Sequence, residues 1–488
     1  MKGFEHTIVN RSRRGIAASM HRAFVAAMAI ALLGMLPARA QSPVCSPPRC
    51  VAQRLTYEGV VYPFNVLLPS GYDDRANAKR YPVVYLIHNA FGNQDTWLDK
   101  SDVEAFTASL PPDRQAIVVM PFSRPFGATV DMGRFHTERF LTDVLVPYID
   151  GTFRTIPLRS QRAIAGASYG AFGAIHLAAR HPDLFVAAGG FSGAPYSFET
   201  AGLPVDAAVP WFPVQILFIT NCTAGDPTGQ FCNGVRNTGG PFAPFGDPAT
   251  NEIAWRNHSP ADLAVNLRST LTYIASGNGI PCDRTDVSIL ARGLARGYAL
   301  LLIEPYPVYY TTLRLDRALR RVGAPHVTDL YGCGIHDALT WRYWKRDLRV
   351  FWGHLNGPGG FGTPNPKSFD YRAADATFSV WGWTFNADPK RASEFLVLTS
   401  ASCDGLELRG SGATRVQTGP CFEPGQGVAL SGALETKVTA GADGRIAFDI
   451  DLGPPHKFKQ YTPPARALEL AGGYFVTRRI TFDPRGGV

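Results

Sequence analysis

The sequence predicts an α/β protein, in which a doubly wound, mostly parallel sheet is followed by a smaller all-β, sandwich-like domain. Residues 81–87 and 116–121 are continuous apolar, β-branched runs that alternate with helical segments, as strands buried on both faces of a parallel sheet do. After about residue 370, helical periodicity stops and short alternating segments separated by turn residues follow. The Gly/Pro-rich stretch 354–369 between the two patterns is predicted to be a linker.

The larger domain is predicted to span 41–353 and the smaller one 370–488. Strands of the larger domain are expected at 55–57, 64–68, 81–87, 116–121, before Gly166, and at 186–192, 270–275 and 327–331. Between 193 and 259 this alternation disappears among aromatic, Gly, Pro and Asn residues. A segment of this length inside a compact domain is typical of a lid or substrate-binding insertion, and surface decoration is the alternative.

One segment of the larger domain has the pattern of a strand, a sharp turn and a helix. Small apolar residues lead into Gly166-Ala-Ser168-Tyr-Gly170, and an alanine-rich helical segment follows. The glycines leave room where side chains would collide with the neighbouring strand and helix, so that a strained turn lifts the Ser168 hydroxyl clear of the sheet. Since Gly-x-Ser-x-Gly also occurs by chance in a chain with 49 glycines, an ordinary turn with a surface serine is the alternative. The flanking strand and helix favour Ser168 as a nucleophile.

Two further residues follow predicted strands in the chain order serine, acid, histidine. Asp283 comes after strand 270–275 and His336 after strand 327–331. A serine hydroxyl needs a histidine to take its proton, and the histidine needs a carboxylate to hold its tautomer and stabilise its charge. Asp286 and Asp337 are the alternative acids, and a structural loop histidine is the alternative for His336.

The eight cysteines all lie after residue 40, and an even number in an exported chain indicates disulfides. Eight cysteines allow 105 connectivities. Proximity favours Cys45–Cys50, Cys222–Cys232 and Cys403–Cys421, which leaves Cys282–Cys333. The last pair would link the loop of Asp283 to the loop of His336, although free buried thiols remain an alternative. No Cys-x-x-Cys or paired histidine spacing predicts a metal, and no cofactor is expected.

Residues 1–40 resemble a secretory signal peptide. Arginines precede the apolar run 23–36, and Pro37-Ala-Arg-Ala40 fits a small-residue cleavage site. The sequence therefore predicts a secreted, extracellular or cell-envelope protein without an integral membrane span after cleavage. An uncleaved membrane anchor is the alternative to a cleaved signal peptide. Because Ser12-Arg-Arg14 faintly resembles a twin-arginine signal, both the Sec and the twin-arginine export routes remain open.

The charge distribution argues against nucleic acid and membrane surfaces as partners. The formal net charge is +8, but the first forty residues carry +5 of it, which leaves about +3 on the remainder. No long basic run or basic amphipathic helix occurs.

Residues from about 67 to 351 resemble the putative-esterase family of α/β-hydrolases, which includes S-formylglutathione hydrolases, feruloyl esterases and mycolyltransferases. The resemblance rests on Tyr85-Leu-Ile-His88, on the segments 140–150 and 166–170, on Ala-Arg-His-Pro182, and on Gly334-Ile-His336 with Trp341 and Trp344. The resemblance implies Ser168 as nucleophile, His336 as base, and backbone N–H groups of Tyr169 and Ala90 as the oxyanion hole.

For the acid, the resemblance selects Asp283 over Asp286. The segment Gly277-Asn-Gly-Ile-Pro-Cys-Asp283 is similar to the Gly-Asn-Gly-x-Pro-x-Glu segment in which mycolyltransferases carry their acid. The chain departs from the family at His88-Asn-Ala-Phe-Gly92, where esterases usually show His-Gly-x-Gly-Gly and mycolyltransferases show sugar-binding residues. This departure weakens two inferences from the resemblance. One is that the backbone N–H of Ala90 is an oxyanion donor, and the other is that the protein recognises the sugar trehalose.

These observations favour a secreted serine carboxylester hydrolase that acts on small-molecule or polymeric esters through an acyl-serine. An acyltransferase that moves the acyl group to a sugar or cell-wall hydroxyl is the second hypothesis, and a catalytically inactive cell-surface binding protein is the third. The all-β domain offers no catalytic cluster. Glycan or cell-wall contact through Trp381, Trp383 and Tyr474 is one hypothesis for this domain, but core packing is the favoured use of these aromatic residues.

Overall fold

The computed structural model describes most of the chain after residue 44. The described residues are 45–46, 48–74, 78–89, 92–123, 129–132, 135–193, 245–246, 248–295, 303–355, 361 and 365–485. The predicted signal peptide, most of the insertion, half of the linker, Ala90, Cys222 and Cys232 lie outside them. Within the described ranges, no helix is both long and apolar enough to cross a membrane.

The larger domain is built on an eight-stranded sheet. Its strands are β1 (Cys50–Tyr57), β2 (Val60–Leu67), β3 (Val83–Ile87), β4 (Ile117–Pro121), β7 (Arg162–Ala167), β8 (Ala187–Phe191), β9 (Leu271–Ser276) and β10 (His326–Leu330), and a small separate hairpin contains β5 (Asp131–Met132) and β6 (Phe135–His136). The order in the sheet is β1-β2-β4-β3-β7-β8-β9-β10. The pairs β1/β2 and β2/β4 are antiparallel, and all other neighbours are parallel. The predicted α/β fold class is confirmed.

Helices cover both faces of this sheet. They are α1 (Thr96–Lys100), α2 (Val103–Ser109), α3 (Thr137–Arg139), α4 (Val146–Thr152), α5 (Tyr169–Arg180), α6 (Pro248–Arg256), α7 (Arg284–Ala295), α8 (Tyr310–Val322) and α9 (Arg342–His354). A π-helical segment, Phe140–Leu145, joins α3 to α4, and another, Glu304–Tyr309, precedes α8. The sequence predicts a largely helical region from about 290 to 321 with interruptions at Pro305 and Pro307, and this region contains the end of α7 and most of α8.

Small residues in the central strands let the covering helices approach closely. All residues of β3, β4, β7 and β8 are buried. A Cβ at Gly190 would lie 2.5 Å from Ile175 on α5, and one at Gly189 would lie 3.0 Å from Phe351 on α9. Because alternate strand residues face opposite sides of the sheet, this pair of glycines admits one helix on each face.

The C-terminal region contains two antiparallel sheets around a common apolar core, as the sequence predicts. The six-stranded sheet has the order β11 (Phe369–Ala373), β14 (Leu396–Ser402), β15 (Gly405–Gly410), β20 (Val476–Asp483), β17 (Gly427–Ser431) and β18 (Lys437–Thr439). The four-stranded sheet has the order β12 (Thr377–Val380), β13 (Trp383–Ala387), β16 (Ala413–Gln417) and β19 (Ala447–Asp451). One short helix, α10 (Pro463–Leu470), was not expected. Trp383 and Tyr474 are buried, which leaves little of either ring to contact a glycan.

The C-terminal region docks on the larger domain near the end of α5. The side chain of Asn266 donates to the Arg372 carbonyl over 3.0 Å and accepts from the Arg372 N–H over 2.8 Å, so it pairs with β11 as a strand would. Arg180, the last residue of α5, forms an ion pair with Asp375 at 3.0 Å. The helix that directly follows Ser168 is thus held at its far end by the C-terminal region.

Candidate active site

Ser168 lies on a strained turn between β7 and α5. Its φ and ψ are 55° and −120°, a left-handed conformation that non-glycine residues rarely adopt. A Cβ at Gly166 would lie 2.2 Å from the Gly170 carbonyl oxygen, and one at Gly170 would lie 2.3 Å from the His88 carbonyl oxygen. Side chains at these two positions would therefore collide with the backbone. This collision explains why the sequence pattern has glycine at both positions.

The Ser168 hydroxyl meets the His336 ring directly. Ser168 Oγ and His336 Nε2 are 2.9 Å apart, although 168 residues separate them in sequence. His336 lies in the loop after β10 and is buried. The Trp344 ring packs edge-on against the imidazole with 5.2 Å between centroids, which limits the orientations open to the ring.

The other nitrogen of His336 contacts Glu304. His336 Nδ1 is 2.7 Å from Glu304 Oε2, and Glu304 is completely buried at the start of the π-helical segment before α8. The second carboxylate oxygen, Oε1, accepts hydrogen bonds from the Ser276 hydroxyl at 3.0 Å and the Gly277 N–H at 2.8 Å. A carboxylate satisfied in this way accepts the Nδ1 proton, which leaves the Nε2 lone pair facing Ser168.

The structure does not bring Asp283 to His336, which corrects the acid predicted from the sequence. Asp283 is half-exposed, pairs with Arg342 at 2.6 Å, and accepts from the N–H groups of Thr285 and Asp286 at the start of α7. Hydrogen bonds from Arg342 hold the pKa of Asp283 below its ordinary value. This carboxylate therefore forms a surface ion pair and caps a helix.

The two alternative aspartates are also occupied elsewhere. Asp286 is buried and accepts from the Cys282 N–H at 2.8 Å and from the Tyr343 hydroxyl. Asp337 caps the turn after His336 by accepting from the Thr340 N–H at 2.8 Å. The residue that sequence reasoning missed is Glu304, the single acid in the apolar stretch 298–306. A carboxylate in an apolar stretch is expected to be buried, and a buried carboxylate needs hydrogen-bond partners. The position of Glu304 as the single acid in this stretch was therefore the sequence feature that could have indicated its role.

The loops after β9 and β10 are tied together beside this site. Gly279 N–H donates to the Gly334 carbonyl over 2.7 Å, and Gly334 N–H donates to the Ile280 carbonyl over 2.6 Å. The Cys282–Cys333 disulfide closes the same pair of loops, as expected. Cys45–Cys50 and Cys403–Cys421 are also present as predicted. The two hydrogen bonds and the Cys282–Cys333 disulfide therefore hold the loop of His336 against the loop of Gly277, whose N–H donates to Glu304.

The predicted oxyanion donors are described in part. Tyr169 is the first residue of α5, so its backbone lies at the helix N-terminus directly after Ser168. Ala90 lies outside the described residues. Just before it, His88 is buried, donates from Nδ1 to the Asn89 carbonyl at 2.8 Å and accepts at Nε2 from the Ser123 N–H at 3.2 Å. Burial lowers the pKa of His88 to about 4, so this ring is a neutral structural group.

Together, these contacts form an unbroken chain of hydroxyl, imidazole and buried carboxylate. In such a chain the imidazole can take the hydroxyl proton, while the carboxylate stabilises the imidazolium that results. The groups in contact are Ser168, His336 and Glu304. The arrangement is suited to acyl transfer through a serine.

The chain is similar to known esterases over part of its length. Residues 59–282 match the family model described as putative esterase, a match that includes Ser168 but ends before Glu304 and His336. An esterase of Mycobacterium tuberculosis is 36% identical over 137 residues, which make up 26% of this chain and 28% of that protein. The endo-1,4-beta-xylanase/feruloyl esterase of Xylanibacter ruminicola is 34% identical over 148 residues, 28% of this chain and 20% of that protein. The matched region thus spans less than a third of the length of either curated relative.

Solved structures of similar proteins include a ferulic acid esterase and an S-formylglutathione hydrolase. A ferulic acid esterase shares 21% identity with a TM-score of 0.40, over 62% of this chain and 95% of its own. An S-formylglutathione hydrolase of Staphylococcus aureus shares 17% identity with a TM-score of 0.40, over 63% of this chain and 98% of its own.

Proposed function

We propose that the protein is a serine carboxylester hydrolase, a proposal supported by the match of residues 59–282 to the putative esterase family model. Ser168 is the nucleophile, His336 the general base and Glu304 the orienting acid. The observation that carries the proposal is the pair of hydrogen bonds at the two nitrogens of His336, 2.9 Å to Ser168 and 2.7 Å to Glu304.

In the proposed reaction, Ser168 Oγ attacks the ester carbonyl carbon while His336 Nε2 takes the hydroxyl proton. The carbonyl oxygen becomes an oxyanion, for which the Tyr169 N–H at the start of α5 is the proposed donor. Collapse of this intermediate breaks the ester bond, and His336 gives its proton to the leaving alkoxide. Water then attacks the acyl-serine with His336 again as base, which releases the acid and restores Ser168.

We also propose that the protein acts outside the cytoplasm. The predicted signal peptide and three disulfides among the described cysteines support this location, because disulfides persist in oxidising compartments.

The test is a time course of ester hydrolysis by the wild type and Ser168→Ala. p-Nitrophenyl acetate and butyrate probe short acyl chains, p-nitrophenyl decanoate a long one, and methyl ferulate an aromatic acid. We expect steady release by the wild type, loss of at least about 10³-fold in the variant, and fluorophosphonate labelling of Ser168 alone. If neither turnover nor labelling occurs in the folded wild type, the binding-protein hypothesis replaces this one. Ester products that form only with an added sugar acceptor would replace hydrolysis by acyl transfer.

A further inference from the structure

A second group of chemically active side chains lies away from Ser168. One ligand atom each of Glu138, His176 and His258 lies within 4.8 Å of the other two. Glu138 is on α3, His176 is on α5, and His258 follows α6. These three residues come from distant parts of the sequence, so no local spacing motif predicts the group.

The hydrogen bonds of the two imidazoles fix which nitrogen is left for a ligand. The Thr129 hydroxyl donates to the Gly173 carbonyl at 2.7 Å and therefore accepts from His176 Nδ1 at 3.2 Å. His258 Nδ1 donates to the Ala254 carbonyl at 2.9 Å. Both rings thus carry their proton on Nδ1 and a lone pair on Nε2. Metal-binding histidines typically have this arrangement, in which the second nitrogen donates to an oxygen.

One of these lone pairs has no partner among the described residues. His176 is completely buried, and no group in the described part of the chain forms a hydrogen bond with its Nε2. Buried polar atoms are nearly always satisfied, so an orphan nitrogen beside a second imidazole and a carboxylate calls for a missing partner. The rings of His176 and His258 are stacked with 5.3 Å between centroids, which holds both in place.

The carboxylate of Glu138 is oriented through one oxygen. Its Oε1 accepts from Arg180 Nε at 2.5 Å and from His181 Nε2 at 2.9 Å, and these bonds leave Oε2 for another ligand. Arg180 also pairs with Asp375 at 3.0 Å. Two carboxylates therefore face one guanidinium, and this excess of negative charge can accommodate a cation.

We propose that Glu138, His176 and His258 bind one divalent transition-metal ion, with Zn²⁺ as the expected occupant. Two imidazole nitrogens and one carboxylate oxygen form a ligand set that suits zinc and leaves a fourth position for water. The proposal is independent of the proposed esterase activity.

The expected role of this ion is structural. His176 lies eight residues after Ser168 on the same helix, about 12 Å along its axis, so a bound ion would not touch the reacting atoms. The site joins α5 to two other segments, next to the Arg180–Asp375 contact with the C-terminal region. An ion here is expected to raise stability and leave esterase kinetics at 25 °C unchanged.

The first experiment needs only the folded wild type. Protein dialysed against EDTA is titrated with Co²⁺ and followed by visible d–d absorption, and with Zn²⁺ followed by thermal midpoint. We expect one equivalent of either metal to saturate the signal, and the midpoint to rise with Zn²⁺. If the folded wild type shows no visible band and no rise in midpoint at one equivalent, the proposal is wrong.

A matched pair of variants locates the ion. His258→Gln removes a proposed ligand, whereas His181→Gln removes a histidine that contacts the same carboxylate through Oε1. We expect His258→Gln to weaken Co²⁺ binding at least about 100-fold, and His181→Gln, which changes only a hydrogen bond to the ligating carboxylate, to weaken it by about tenfold or less. Circular dichroism checks that both variants fold. Undiminished binding by folded His258→Gln, or equal loss in both variants, would overturn the assignment.

Discussion

His336 Nδ1 lies 2.7 Å from Oε2 of Glu304, a residue 32 positions earlier in the chain, and not beside any of the three nearby aspartates. Two further hydrogen bonds hold the other carboxylate oxygen against the loop after β9. A carboxylate that is buried and anchored in this way keeps the imidazole in one tautomer. Because Glu304 contacts His336 and Asp283 does not, substitutions of these two residues are expected to have different effects on catalysis.

We expect Glu304→Gln to lower kcat/KM about 10³- to 10⁴-fold, because an amide at this position stabilises neither the tautomer nor the charged imidazole. Asp283→Asn is the matched control, since it removes a carboxylate that pairs with Arg342 on the surface, and we expect it to change kcat/KM less than about threefold. Steady-state kinetics on a p-nitrophenyl ester compare the two. A larger loss in Asp283→Asn than in Glu304→Gln would return the acid to Asp283.

The parts of the site that local sequence patterns determine were predictable. Gly166 and Gly170 stand where backbone atoms would collide with a Cβ, so the turn at Ser168 could be inferred from the Gly-x-Ser-x-Gly pattern together with the strand and helix that flank it. Glu304 could not be inferred in the same way, because its position depends on a π-helical segment and on the packing of two loops. Likewise, only the fold brings His176 and His258 together.

The glycine at 277 is expected to be essential for the paired loops. A Cβ there would lie 2.3 Å from the Gly334 carbonyl oxygen, which is backbone and cannot rotate away. We expect Gly277→Ala to lower the free energy of unfolding by about 1–3 kcal/mol and to reduce kcat, since the same residue holds Glu304. Urea unfolding and ester hydrolysis measure the two effects.

Gly151→Ala is the control for that substitution. Gly151 lies in α4, and no described atom beyond its chain neighbours and the backbone of its own helix lies within 4 Å of its added Cβ. Replacing a helical glycine by alanine is expected to leave stability unchanged or raise it by up to about 1 kcal/mol. Equal stability losses in the two variants would contradict the steric account of Gly277.

The burial of His88 is expected to make the folded protein less stable at acidic pH. Its pKa is about 4 in the folded protein and about 6.5 in an unfolded chain, so between these values the unfolded state binds a proton that the folded state does not. The free energy of unfolding should therefore fall as the pH is lowered from 6.5 to 4, by about 3 kcal/mol at most for this residue. We expect His88→Gln to show a shallower decline in urea titrations across this range. An unchanged slope would show that His88 does not contribute.

The last prediction concerns the contact between α5 and the C-terminal region. Asp375 accepts from both Arg180 and Asn257 at 3.0 Å, and Arg180 is largely buried. Asp375→Asn removes the negative charge that faces this guanidinium, so we expect the free energy of unfolding in EDTA to fall by about 1–3 kcal/mol. Asp449→Asn is the control, because its 2.7 Å pair with Arg415 is exposed and is expected to contribute less than about 0.5 kcal/mol. If urea unfolding gives the two variants the same stability, the Arg180–Asp375 pair does not stabilise the docking of the C-terminal region.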